Sequence, residues 1–380
     1  MGRAGTTRLS VGDLELPSIA RVGLVVSWHE RWVRSPVLIA ALRDLQWRRR
    51  RFIIAILGTG VVFAMTLVLT GVSNGFRVEA RQTVESLGID TFVMKSGATG
   101  PFLGSSPFAA EQVGAVAKVT GVTDAVGLVY APTTAKDGSS TRNVNLFGAP
   151  PPPVAKGQPP SGPGEIAVSS TLGRDVGDDL EVGSKTLRIV GIVDNSTALV
   201  NQPNVFVTVA GAQQVAFSGQ PLISSIGLHG PPARVPDGYR AVGRDGAVDD
   251  LLRPLKPAYQ TLTIIAVLLW VVAALIVGSM IYLSALERTR DFAVFKAVGV
   301  STRSVLGGMA LQAVLVAVVA AALGALLSVA LAPLFPMRVV VPVSAFLLLP
   351  VVAVVIGLLA SAAGLRRAVT VDPALAFGGP

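Results

Sequence analysis

Leu283–Ser304 reads LSALERTRDFAVFKAVGVSTRS. Charged side chains crowd it (Glu287, Arg288, Arg290, Asp291, Lys296 and Arg303), yet Leu283, Phe292, Phe295 and Val298 keep an apolar side running through it. That pattern describes a short amphipathic helix held against a membrane. Gly299 suits the C-cap of such a helix, where a left-handed residue is needed, and Ser301 suits the N-cap of the next one. A rigid elbow, apolar on one side and charged on the other, is a docking surface for a cytoplasmic partner. A plain solvated loop joining two spans is the competing reading, and these features alone leave both open.

Outward from the elbow the chain turns apolar. Four stretches can each cross about 30 Å of hydrocarbon, which takes roughly 20 helical residues. They are Phe52–Val72, Ala258–Leu286, Val305–Phe335 and Val339–Gly364, and none contains Lys, Arg, Asp or Glu. A chain of 380 residues with 51% hydrophobic content and a mean hydropathy of +0.61 is too apolar for an ordinary soluble protein. The first stretch starts too late for a cleavable signal peptide. The fold class expected is an integral membrane α-helical protein with four transmembrane helices. An α+β extracytoplasmic domain, residues 73–257, is inserted between helices 1 and 2.

The net charge of +9 would point a soluble protein toward nucleic acid. Its distribution points elsewhere. Residues 1–51 hold 10 basic and 4 acidic side chains, residues 73–257 hold 15 and 16, and the 287–304 elbow carries a net +2. The excess sits in segments that four spans place on one side, which is the positive-inside pattern. N-terminus, elbow and C-terminus (365–380) are therefore expected in the cytoplasm, with lipid rather than nucleic acid as the partner of the Arg48–Arg51 run. Arginine far outnumbers lysine, the composition of a GC-rich bacterial genome, so the expected place is a bacterial plasma (inner) membrane. Cysteine is absent, which excludes disulfides and thiolate chemistry.

Residues 1–35 read as a cytoplasmic tail. In 36–51, Leu38, Ala41, Leu42 and Leu45 share one helical face, an interfacial helix with Trp47 at headgroup level. Gly58, Gly60 and Gly71 in the first span permit close helix approach. The helix is expected to continue outward through Phe76–Ser86, since no breaker occurs before Gly88. Beyond it, Ile89–Lys95, Ala125–Tyr130 and Asn143–Phe147 read as strands and Phe108–Lys118 as helix. Gly148–Gly164 reads as a loop. Next come short strands at Glu165–Val168, Leu180–Val182, Thr186–Val193 and Asn204–Val209, joined by Gly/Asp turns, a small barrel or sandwich. Ser224–Leu228 adds a strand and Ala247–Arg253 a helix.

Catalytic signatures are missing. No G-x-x-x-x-G-K-[ST] loop is present to cradle phosphates, and the histidines, His29 and His229, are too few for a zinc site. Gly71-Val72-Ser73-Asn74-Gly75 matches G-x-S-x-G in letters, but it lies at the end of a span rather than on a strand-to-helix elbow. Charge-free spans argue against ion-coupled transport. No catalytic residue, cofactor site or metal site is expected in this chain.

The elbow's Glu287, Arg288, Arg290, Asp291, Lys296, Ala297 and Gly299 resemble the segment after the second transmembrane helix of MacB/FtsX-like ABC transporter permeases. Asp291 stands where the family usually has Glu, and Val300 where it has a small residue. Gly164-Glu165-Ile166, Gly177-Asp178, Val190-Gly191-Ile192-Val193 and Pro203-Asn204-Val205-Phe206-Val207 are similar to the MacB-type periplasmic core domain. The tail Asp372-Pro373-Ala374-Leu375-Ala376 also fits. The resemblance implies a non-catalytic permease subunit, paired as a homodimer over a separate cytoplasmic ABC ATPase that binds ATP and Mg. It implies export or extraction of an extracytoplasmic substrate by mechanotransmission. Glu287, Arg288, Arg290, Asp291, Phe295, Lys296 and Gly299 are then the ATPase-coupling residues, with Phe295 as buried anchor. An FtsX-like regulator of a cell-wall hydrolase is the alternative within the same fold, and an autonomous channel or receptor lies outside it.

Overall fold

The computed structural model describes residues 49–137, 140–287, 294 and 301–369. Most of the expected interfacial helix and of the elbow lies outside those residues. Helix α1 spans Arg49–Ser86, 38 residues without a break. At 1.5 Å per residue it is about 57 Å long, nearly twice the hydrocarbon thickness of a bilayer. Its charge-free run ends near Val72, and Arg77, Glu79, Arg81 and Glu85 follow, so its second half stands outside hydrocarbon. It stops where the sequence suggested, with Gly88 at φ +70° two residues beyond Ser86.

The inserted domain begins with β1 (Thr91–Lys95), β2 (Phe108–Ala109), α2 (Gln112–Val116), β3 (Asp124–Asp137) and β4 (Ser140–Gly148). It continues through β5 (Lys156–Gly157), β6 (Glu165–Ser169), β7 (Asp179–Val182), β8 (Lys185–Val193), β9 (Thr197–Ala198) and β10 (Gln202–Val207). It ends with α3 (Val209–Ala216), β11 (Leu222–Ile223), β12 (Ser225–His229), β13 (Tyr239–Gly243) and α4 (Arg244–Leu251). Pairings run β3–β4–β10–β6–β8–β7 and back to β3, which closes a barrel. The N-terminal part of β3 leaves that barrel and pairs with β12, beyond which lie β1 and β13.

Strand alternation sorts the barrel's side chains into two cores. Val144, Leu146, Ile166, Val168, Ile189, Val205 and Val207 join one apolar cluster. The alternate Phe147, Ala167 and Phe206 point the other way, into a cluster with Phe76, Ala80 and Val84 of α1 and with Leu87 just beyond it. Phe92, Phe102, Tyr130, Phe147 and Phe206 form a chain of ring contacts there, with centroids 5.0–5.6 Å apart along it. The outer half of α1 is thus a core helix of the domain.

After the domain come α5 (Lys256–Glu287), α6 (Thr302–Leu331) and α7 (Val343–Val369). Among the described residues three helices are long and apolar enough to cross a membrane by length and composition, at Arg49–Ser86, Arg253–Glu287 and Gly307–Leu334. The fourth expected span contains a shorter apolar helix, Val343–Leu359. Contacts divide the chain into two compact units, one of them made of Thr59–Ala273 with Ala320–Val351.

Several expectations need correction. Phe108–Ala109 pairs with Leu222–Ile223 as strand, leaving only Gln112–Val116 helical. The segment Val209–Ala216 is a helix the strand reading ran into, capped by Thr208, whose Oγ1 accepts from Gly211 N at 3.1 Å. Tyr239–Gly243 forms an unanticipated strand. Val339–Pro342 does not begin the last helix. Proline disfavours helical geometry at the residue before it, and Val340 N donates to the Gly71 carbonyl at 2.9 Å, fastening this strap to α1.

The glycines of α1 divide by what faces them. A Cβ on Gly60 would lie 2.8 Å from Leu323 Cδ2, and one on Gly324 would lie 2.7 Å from Phe63 Cβ, so α1 and α6 cross at near backbone contact. Gly58 faces open space. A Cβ on Gly75 would run into the Arg338 carbonyl. The G-x-S-x-G letters therefore lie inside a continuous helix: Gly71 and Gly75 seat the strap, and Asn74 Nδ2 donates to Val340 O at 2.9 Å. Gly75→Ala is expected to destabilise the detergent-purified protein by about 1–3 kcal/mol through overpacking. Gly58→Ala should stay within about 0.5 kcal/mol of wild type in the same thermal unfolding series.

Candidate functional site at the helix–domain joint

Phe76, Glu79, Ala80, Thr83 and Val84 are buried along one stripe of α1, and Leu87, just past its end, continues it. Glu79 falls on that stripe and is 1% exposed. Thr197 Oγ1 donates to its Oε1 at 3.2 Å and Asn201 N to its Oε2 at 3.2 Å. Burial raises the Glu79 carboxyl above the usual carboxylate range, although the Asn201 amide, the Thr197 hydroxyl, the Arg338 guanidinium and the Val200 amide pull it back.

The turn that supplies those amides is unusual. Leu199, Val200 and Asn201 have φ of 50°, 68° and 62°, three left-handed residues in a row, none of them glycine. They close the hairpin between β9 and β10, where Ala198 faces Gln202. Each such residue costs about 1–2 kcal/mol, and Val200 is β-branched, the worst case. Successive amides in a bent backbone make an anion-binding concavity, and here the carboxylate of α1 fills it. The amides of the strained turn offset part of the cost of burying the Glu79 carboxyl.

Hydrogen bonds carry the contact into the barrel. Thr83 Oγ1 donates to Thr197 O at 3.0 Å, and Asn204 Nδ2 donates to Thr83 Oγ1 at 3.1 Å. Asn145 Nδ2 donates to Asn204 Oδ1 at 3.2 Å, and Tyr130 OH to Asn145 Oδ1 at 3.0 Å. Burial, with the Asp250 carboxylate adding to it, pushes the Tyr130 hydroxyl well above its ordinary value, so it stays a donor. Asn201 Nδ2 reaches Pro336 O at 3.4 Å, and Arg338 Nη1 donates to Gln82 Oε1 at 2.6 Å, so the strap after α6 shares the joint.

A second clamp stands at the end of α4. Asp250, 1% exposed, accepts from Phe102 N at 2.7 Å and from Gly104 N at 3.1 Å. Arg253 pairs with it at 2.8 Å and also bonds Thr99 Oγ1 and Thr99 O. Arg253 lies three residues before α5. Both chain segments that enter and leave the domain are thus held to it by buried carboxylates. Nothing in either clamp has the geometry of a nucleophile with its base, and no cluster of metal-ligating side chains occurs among the described residues.

Of the expected coupling residues, Glu287 is the last described residue of α5, where Arg51 Nη1 donates to both its oxygens at 3.1 Å. Arg288, Arg290, Asp291, Phe295, Lys296 and Gly299 lie outside the described residues. Helix α6 starts at Thr302, one residue after Ser301. Sequence reading passed over Glu79 and Asp250. Glu79 left a signal, a carboxylate on an otherwise apolar helical stripe; the left-handed Leu199–Val200 pair left none.

Known proteins share this plan. The MacB-like periplasmic core domain model matches residues 52–228, and the FtsX-like permease C-terminal model matches residues 263–373. The chain is 64% identical over 349 residues to proteins of Mycobacterium bovis and Mycobacterium tuberculosis described as uncharacterized ABC transporter permeases, covering 90% of this chain and 100% of each relative. A second such permease of Mycobacterium tuberculosis is 59% identical over the same length. The chain therefore belongs to the MacB/FtsX-like ABC transporter permeases: a membrane permease with an extracytoplasmic α+β domain, of a kind that works with a cytoplasmic ATPase. Among solved structures, the extracellular domain of the noncanonic ABC-type transporter YknZ from Gram-positive bacteria aligns at TM-score 0.31 and 14% identity, covering 41% of this chain and 99% of that one. The periplasmic region of MacB from Actinobacillus actinomycetemcomitans aligns at 0.31 and 9%, covering 43% and 92%.

The raised Glu79 value fixes the sign of a pH effect. Folding favours the protonated form, so the contribution is full below the ordinary value of 4.5 and is lost as pH rises through the raised folded value. Unfolding midpoints measured upward from pH 4.5 should fall in wild type over that interval and stay flatter in Glu79→Gln.

Proposed function

We propose that this chain is the mechanotransmitting permease subunit of an ABC system whose ATPase is a separate polypeptide binding ATP and Mg. Four spans place both termini in the cytoplasm, and two copies pair as a homodimer. The 287–304 elbow docks on the ATPase, with Glu287, Arg288, Arg290, Asp291 and Lys296 orienting it, Phe295 anchoring it and Gly299 fixing the turn. Nucleotide-driven closure moves the elbows, and the spanning helices carry that motion to the outer domains, which act on a substrate for export or extraction.

The observation that carries this reading is the double fastening of the domain, by Glu79 to α1 and by Asp250 and Arg253 ahead of α5. A domain held at both entry points by buried charges is built to move as a body with its helices. Charge-free spans fit a lever better than an ion path. The relatives' description as transporter permeases weighs for transport over hydrolase regulation.

The test is mild-detergent purification of the tagged full-length protein, with mass spectrometry of co-purifying proteins and an ATPase assay. A stoichiometric ABC ATPase with vanadate-sensitive hydrolysis is expected; a clean preparation that fails to bind a supplied candidate ATPase contradicts the proposal. Phe295→Asp and Gly299→Pro should abolish permease-stimulated hydrolysis while membrane insertion is retained, and wild-type stimulation in either would overturn the elbow's role.

A further inference from the structure

The arginine run at the start of α1 is explained only in part by topology. Three arginines, Arg49–Arg51, lie in the first described turn of α1, just ahead of the apolar run. One of them has an internal answer. Arg51 Nη1 lies 3.1 Å from both Glu287 oxygens, and Arg51 Nη2 donates to the Met280 carbonyl at 2.7 Å. Beside it Phe52 and Ala55 of α1 pack with Met280 of α5 and Val316 of α6, all buried. The guanidinium therefore spans the last two turns of α5 from the first turn of α1.

We infer that Arg51 is a positioning residue for the coupling elbow: it holds Glu287, where the elbow begins, to the first turn of α1, so that α1 and α5 take up the elbow's motion together. This rests on the coupling reading above and changes one part of it, since Glu287 works within the chain rather than on the ATPase.

Magnitudes separate this from the bland alternatives. The Arg51 and Glu287 side chains are 24% and 45% exposed, so the pair is screened and contributes little to global stability. A topology anchor needs only positive charge, which Arg48–Arg50 already supply. What Arg51 adds is a planar fork that meets a carboxylate and a carbonyl at once, a geometry lysine cannot reproduce.

The natural absence of cysteine allows a direct test on the full-length protein in membranes. Arg51→Cys with Glu287→Cys should cross-link with a short bifunctional thiol reagent, and no cross-link overturns the pairing. In the complex with the co-purifying ATPase, Arg51→Glu should retain assembly and lower permease-stimulated hydrolysis about tenfold. Arg51→Lys should restore it only in part. The exchange Arg51→Glu with Glu287→Arg should return it to within about twofold of wild type. If the exchange stays as low as Arg51→Glu alone, Glu287 engages the ATPase itself and the inference is wrong. Absence of stimulation in wild type sinks the coupling reading instead, while the cross-link still judges the Arg51–Glu287 contact.

Discussion

A helix nearly twice as long as a bilayer is thick cannot be satisfied by lipid alone. That constraint shapes the rest of this protein. The outer half of α1, from Phe76 to Ser86, needs a second apolar environment, and the domain supplies it from Phe147, Ala167 and Phe206 on the outside of the barrel. Burying side chains of that size contributes about 1.5–3 kcal/mol each, so the apolar contact dominates the joint. It is also non-directional, and would tolerate rotation or slippage of a smooth rod in its groove.

The polar groups remove that freedom. Glu79 can be satisfied in one rotational and axial setting of α1, where Thr197 and the amide of Asn201 meet it. A misplaced helix would leave a buried carboxyl without its donors and the amides of a left-handed turn without their acceptor. The turn's strain and the desolvated acid are each unfavourable alone, and together they specify register. Asp250 does the same beside α5, tying the Phe102 loop to Arg253. The arrangement contributes little net stability but much geometrical definition.

Much of this architecture was legible in the sequence. Charge-free apolar runs marked the long apolar helices, three of them long enough to cross a membrane among the described residues, the unbroken Phe76–Ser86 stretch marked the outward extension, and Gly/Asp turns between short strands marked the barrel. Misreadings arose where two forces compete. Phe108–Lys118 has helical composition, but Phe108 is claimed by a tertiary contact and pairs as strand. Val339–Pro342 is as apolar as the span that follows, yet Pro342 and the glycine face of α1 turn it into a strap. The joint itself was hardest to foresee, because its strained turn is made of Leu199 and Val200, which carry no local preference for left-handed backbone. Only the finished packing around Glu79 explains them.

A helix fastened to the domain in this way is expected to move with it as one body. The most direct measurement uses spin labels on Glu85→Cys in α1 and Lys185→Cys in the barrel of the otherwise cysteine-free chain. Pulsed electron paramagnetic resonance would give the distance between them with the ATPase nucleotide-free and vanadate-trapped. One narrow distribution that does not shift between the two states is expected. A shift or a second population on trapping would show that the joint hinges, and would contradict it.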